Sequence, residues 1–73
     1  MSEQRHVIGE HFELILQDYP EKKAVGIFRK FAVGYVCRHP RRKPVLLSFM
    51  KAKTRADVEN VVNTWYTDTY PSV

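Results

Sequence analysis

The chain has 73 residues, 44 % of them apolar, with a single cysteine and a formal net charge of +4. A length of this order makes one domain, 1–73, that buries only about 60 % of the surface its unfolded chain exposes, which leaves little room for a cofactor pocket beside a core. One cysteine excludes an internal disulfide framework, no run approaches the ~20 apolar residues of a membrane span, and Glu3, Arg5 and His6 interrupt any signal-peptide core, so a cytoplasmic domain folded over about residues 5–67 is expected.

The first segment carries Ile8, Phe12, Ile15 and Tyr19 at steps of four, three and four, which is a helical stripe. Asp18 stands three residues before Glu21 with Pro20 between them. This is the layout of a capping box, with proline near the first turn of the next helix, where its missing N–H costs nothing. That second helix is predicted over about residues 20–38, stopped by Pro40. At about 100° per residue, Ala24, Phe28, Phe31, Ala32, Tyr35 and Val36 share one broad apolar arc. Lys22, Lys23, Arg29 and Lys30 share a second arc about 120° wide, which also holds Gly26, Val33 and Cys37, with Gly34 at its margin. Each mid-helix glycine costs about 0.8–1 kcal/mol relative to alanine. Either the close approach of a partner or a tight helix crossing inside the fold would make use of the pair.

Residues 39–44, H-P-R-R-K-P, cannot continue the helix and read as a stiff basic connector. A short third helix is predicted after Pro44, burying some of Leu46, Leu47, Phe49 and Met50. Thr54, three residues before Asp57, supplies an N-cap with an acid in the first turn. Val58, Val61, Val62 and Trp65 then follow the i, i+3, i+4, i+7 pattern of an amphipathic helix. The tail, 68–73, is expected to fray. The fold class is all-α, a small four-helix bundle whose expected core holds Phe12, Ile15, Phe28, Phe31, Leu47, Val58, Val62 and Trp65.

Charge is the most informative feature of the chain. Residues 22–55 contain eleven Lys/Arg and no acid, whereas Arg5 and all eight acids lie outside, so the net charge divides as +11 against −7. A folded domain with one strongly positive side attracts polyanions before any shape matching, and a phosphate backbone is the leading candidate partner. The expected contact residues are Lys22, Lys23, Arg29, Lys30, Arg38, Arg41, Arg42 and Lys43, forming a patch along the second helix and into the connector.

Enzymatic chemistry is poorly supported. Arg38 and His39 would lower the thiol pKa of a nucleophilic Cys37, but no catalytic partner is legible, and a small residue filling space near a helix end accounts for it as well. His6 and His11 are five apart, a poor spacing for one helix face, and with His39 and one cysteine they make no zinc motif. Gly9, Gly26 and Gly34 are isolated, so there is no phosphate-binding glycine loop. Tyr35 shares its arc with Phe28 and Phe31, which argues for core packing over base stacking. No cofactor and no metal are expected.

Residues 25–35, V-G-I-F-R-K-F-A-V-G-Y, resemble the central helix of the C-terminal domain of bacterial tRNA-dihydrouridine synthases, whose pattern is G-x-R-I-x-R-K-H-x-x-W-Y. Ile27, Arg29, Lys30 and Tyr35 match it. Tyr19, Pro20, Glu21 and Lys22 stand where that family has Y-G-x-x, and His11 to Leu14 and the final helix from Thr54 to Tyr66 fall in the same order. The likeness spans residues 7–67. It implies a helical bundle that helps hold tRNA through Arg29 and Lys30. In that family the chemistry belongs to a separate flavin-binding barrel, using FMN, NADPH and a cysteine acid; none of that barrel is present, and Cys37 cannot inherit the cysteine's role. Gly26, Phe31 and Gly34 replace the pattern's arginine, histidine and tryptophan. The implied activity is RNA binding without catalysis, in a free-standing relative or a domain accompanied by a catalytic flavoprotein in the same or another chain. The competing classes are a DNA-binding regulator and a module docking an acidic protein. Against the former, no Asn or Gln stands among the basic residues to read adenine.

Overall fold

In a computed structural model, which describes residues 2–70, the chain forms four helices and, among those residues, no strand. They are α1 (Ser2–Asp18), α2 (Glu21–Val36), α3 (Arg42–Lys51) and α4 (Arg55–Trp65). The all-α four-helix architecture is the one the periodicities require. α2 is the central helix, packed on α1, α3 and α4, and α4 closes the bundle against α1 and α3.

Phe28 is the hub. It is fully buried, and its ring lies 5.1 Å from that of Phe12 on α1, 5.7 Å from Phe49 on α3 and 6.0 Å from Tyr35 two turns along its own helix. Around it pack Ile8 and Ile15 from α1, Ala24, Val25, Ala32 and Val36 from α2, Val45 from α3, and Val58, Val61 and Val62 from α4. The α4 start is built as its sequence demands. Thr54 Oγ1 accepts the Asp57 N–H at 3.2 Å while Asp57 Oδ2 accepts the Thr54 N–H at 3.2 Å, a complete capping box.

Several sequence expectations are corrected. Tyr19 does not belong to the α1 stripe; the helix ends at Asp18 and the ring, 41 % exposed, lies under the Lys23 ammonium at 5.3 Å. The Asp18/Glu21 capping box does not form. Asp18 is still helical as the last residue of α1, so Pro20 takes the N-cap place of α2 without a side-chain bond. α2 ends at Val36, two residues early, because the chain tightens before Pro40 into i→i+3 bonds from the N–H groups of Cys37, Arg38 and His39. α3 begins at Arg42 rather than after Pro44, which therefore sits in a first turn that needs no N–H from it.

The core is also rearranged. Phe31 is 49 % exposed and Leu47 59 % exposed, and Trp65 is only half-buried; none is a core centre. On α2 the buried positions 24, 25, 28, 32 and 36 span about 120°, and Phe31 lies just outside that arc. On α3 the inward positions are Val45 and Phe49, four apart, which turns Leu47 to the opposite face and leaves Met50 exposed. Tyr66, immediately after α4, takes the buried place expected of Trp65. Residues 67–70 fold back against the bundle. The Tyr70 N–H donates to the Thr67 carbonyl at 3.2 Å, and its ring packs 5.0 Å from His39 and 5.9 Å from Trp65. Pro71 and the two residues after it lie outside the described residues.

Candidate nucleic-acid interface

The two charge signs separate in space as they do in sequence. The eleven cations of residues 22–55 belong to α2, to the turn after it, to α3, to the α3–α4 link and to the first residue of α4. Glu3, Glu10, Glu13 and Asp18 are on α1, and Asp57 and Glu59 on α4. Where those two helices meet, charge is neutralised: Arg55 Nη2 lies 2.6 Å from Glu13 Oε1, its Nε lies 3.1 Å from Glu59 Oε1, and Arg5 donates to Asn63 Oδ1 across the same pair. Apart from a His6–Glu10 pair at 3.0 Å, no other ion pair occurs among the described residues. Arg55 is thus the single cation of the tract that finds a carboxylate there.

Lys22, Lys30, Arg38, Arg41, Arg42 and Lys43 are exposed and have no carboxylate partner among the described residues. Lys23 is exposed above the Tyr19 ring. Arg29 differs from the rest. It is half-buried, and its Nη1 donates to the Met50 carbonyl at 3.2 Å, satisfying one of the terminal acceptors of α3. Sequence reasoning aimed Arg29 away from the fold, but it is in part a strut between α2 and α3. The helical phase of α2 still gathers Lys22, Lys23, Arg29 and Lys30 on one side of the cylinder.

The basic turn, residues 37–41, is fastened from beneath by His39, which is 2 % exposed. Its Nδ1 accepts the Arg41 N–H at 2.9 Å, so the ring proton is on Nε2, which donates to the Trp65 carbonyl at the end of α4. Trp65, Tyr66 and Tyr70 surround the imidazole, with ring centroids 6.1, 5.1 and 5.0 Å away. A buried histidine with both nitrogens committed is a positioning group: it fixes the path of the chain between Arg38 and Arg42. The sequence placed it among candidate metal ligands and as a neighbour that would activate Cys37; the signal that was available is its neighbour Pro40, which forces a turn that something must hold.

The two α2 glycines answer a question the sequence left open. A Cβ built on Gly34 would meet nothing within 4 Å, and one on Gly26 only the Arg29 guanidinium at 3.9 Å. No neighbouring helix needs their smallness, so the tight-crossing account is excluded; open surface lies above Gly34, and the Arg29 side chain lies over Gly26. Cys37 is exposed, with its thiol donating to the Val33 carbonyl at 3.4 Å. His11 bonds through Nδ1 to the Tyr35 hydroxyl at 2.5 Å, and Tyr35 is half-buried as a prop within the α1–α2 contact. Compared with family models, curated proteins and solved structures, the chain matches none. Its likeness to dihydrouridine-synthase C-terminal domains rests on the residues quoted above alone.

Proposed function

We propose that this chain is an RNA-binding helical module without catalytic activity of its own, which holds a structured RNA through the α2–turn–α3 face. The observation that carries the reading is the row of exposed cations, Lys22, Lys30, Arg38, Arg41, Arg42 and Lys43, left without carboxylates while six of the eight acids sit on α1 and α4 and Glu21 stands at the very start of α2. Like charges held together on one side destabilise the folded state unless a polyanion answers them. Contacts of this kind recognise phosphate positions and helix shape rather than base edges. Gly34 widens the approach by exposing bare backbone between the cations. The preference for tRNA over other structured RNA follows from the resemblance of residues 25–35, and with it the expectation of a flavoprotein as catalytic companion.

The test is a titration of tRNA, duplex RNA and duplex DNA over a range of salt. For the wild-type chain log affinity for tRNA should fall linearly with log salt, with a slope of about −0.7 to −0.9 per phosphate neutralised. Lys22→Ala, Lys30→Ala and Arg42→Ala combined should weaken binding and flatten that slope by roughly 2 to 3. Arg5→Gln, outside the face, should change neither. Tighter binding to duplex DNA than to tRNA would make the chain a DNA-binding protein, and no binding at low salt would leave an acidic protein as the partner of this face.

A further inference from the structure

Phe31 sits at the α1-side margin of α2, just outside the buried arc and half open to solvent, although its neighbours in sequence and its size suit a core. Its position is fixed from behind. The His11 ring meets it at 4.6 Å and 68°, and His11 is itself held by the Tyr35 hydroxyl, so the phenyl ring is braced by α1 rather than free on the surface. Lys30 precedes it, Gly34 follows one turn on along α2, and Arg38, in the turn after the helix, lines the same hollow as Gly34. Gly34 leaves the space beside the ring open. Just past it a shallow hollow of about 250 Å³ opens between α1 and α2, with Val7, Gly34 and Tyr35 as its apolar walls and Glu3, Gln4 and Arg38 at its rim. A braced, exposed aromatic ring between unpaired cations, beside an apolar hollow, is more than a phosphate-binding surface requires.

We infer that Phe31 is a stacking platform for an unpaired base of a bound RNA, with Lys30 and Arg38 holding the phosphates on either side of that nucleotide. This rests on the RNA-binding reading of the basic face and names the part of the RNA that the α1-side margin of that face takes: a single-stranded loop, bulge or end. A flat base laid on the ring extends over Gly34, where any side chain would stand in its way. The Glu3 carboxylate across the hollow repels phosphate but accepts hydrogen bonds from base N–H groups, which favours a base in that place over backbone. Duplex RNA keeps its bases stacked on each other, so it contacts the cations and leaves Phe31 unused.

The experiment measures anisotropy of a short labelled single-stranded RNA of mixed sequence, and of a blunt-ended RNA duplex of the same length, with the full chain and with Phe31→Ala, Phe31→Leu and Phe31→Trp. Phe31→Leu keeps an apolar contact for His11 but has no π face, and a thermal melt confirms that it folds as the wild type does. Loss of one base stack should weaken single-strand binding about 5- to 100-fold in the alanine and leucine variants, and Phe31→Trp should retain it. Duplex affinity and its salt slope should be the same in all four proteins. Wild-type single-strand affinity in Phe31→Leu would overturn the stacking role, and so would equal losses on both RNAs. Failure of the wild-type chain to bind either RNA would instead overturn the reading of the whole face, and this inference with it.

Discussion

Two buried or partly buried residues show how much of this fold depends on single polar atoms. The Tyr66 side chain is fully buried, and its hydroxyl has no hydrogen-bond partner among the described residues. An orphaned buried hydroxyl costs more than it returns. Tyr66→Phe should therefore leave the melting temperature unchanged or raise it, as calorimetry at neutral pH would show. Burial pushes the Tyr66 pKa up to about 12, whereas an unfolded tyrosine ionises at about 10. The unfolded chain thus loses its proton first, and stability falls as pH rises between those values. Tyr66→Phe removes that share of the alkaline loss, so its advantage over wild type should grow in this window. Asp57 works in the opposite direction. The Lys53 and Thr54 backbone N–H groups donate to its carboxylate and hold its pKa below the ordinary range. That stabilisation is present above the ordinary carboxylate range and disappears as pH falls through the lowered value. Asp57→Asn should melt lower than wild type near neutrality, and the gap should close below about pH 4; a gap independent of pH would mean that the cap does not depend on charge.

At the scale of the element, α2 carries the argument, because its packing and its exposed face make opposite demands. One side buries Ala24, Val25, Phe28, Ala32 and Val36; the other offers cations separated by glycines. Since a Cβ at Gly34 meets nothing, Gly34→Ala should stabilise the chain by about 0.8–1 kcal/mol, read as a higher denaturant midpoint. The same variant should bind RNA more weakly if a partner lies on that backbone. A stabilised variant with unchanged RNA affinity would place the ligand elsewhere on the face. Much of α2 was legible in sequence, including its apolar arc and its basic side. What the pattern could not give was the exact edge of the buried arc. Phe31 lies only about 20° outside it, and the width of a neighbouring helix, not periodicity, decides on which side of the boundary such a residue falls. Arg29 was misread for the same reason: its proximity to the end of α3 depends on where that helix stops.

Across the whole molecule the bundle acts as a sorter of charge. α1 and α4 carry most of the acids and are joined through Arg55 and Arg5, while α2 and α3 present cations with nothing to answer them. Replacing Lys30 and Arg42 by glutamate relieves repulsion on that face without touching the core or the His39 cluster. The melting temperature of this double variant should match or exceed that of wild type, while affinity for RNA is lost. A folded variant that still binds would show that the attraction comes from somewhere other than this face.

The sequence by itself determined the fold class, the helix order, the α4 N-cap and the segregation of charge, because each depends on spacing within a short stretch of chain. Thr54 and Asp57 need only each other, and a tract of eleven cations brings no acid of its own however the helices pack. Tertiary structure alone decided the role of His39, the exposure of Phe31 and the diversion of Arg29. Each of these depends on a residue at least twenty positions away, Trp65, His11 and Met50 respectively, whose distance in space is fixed only when α1, α3 and α4 close around Phe28.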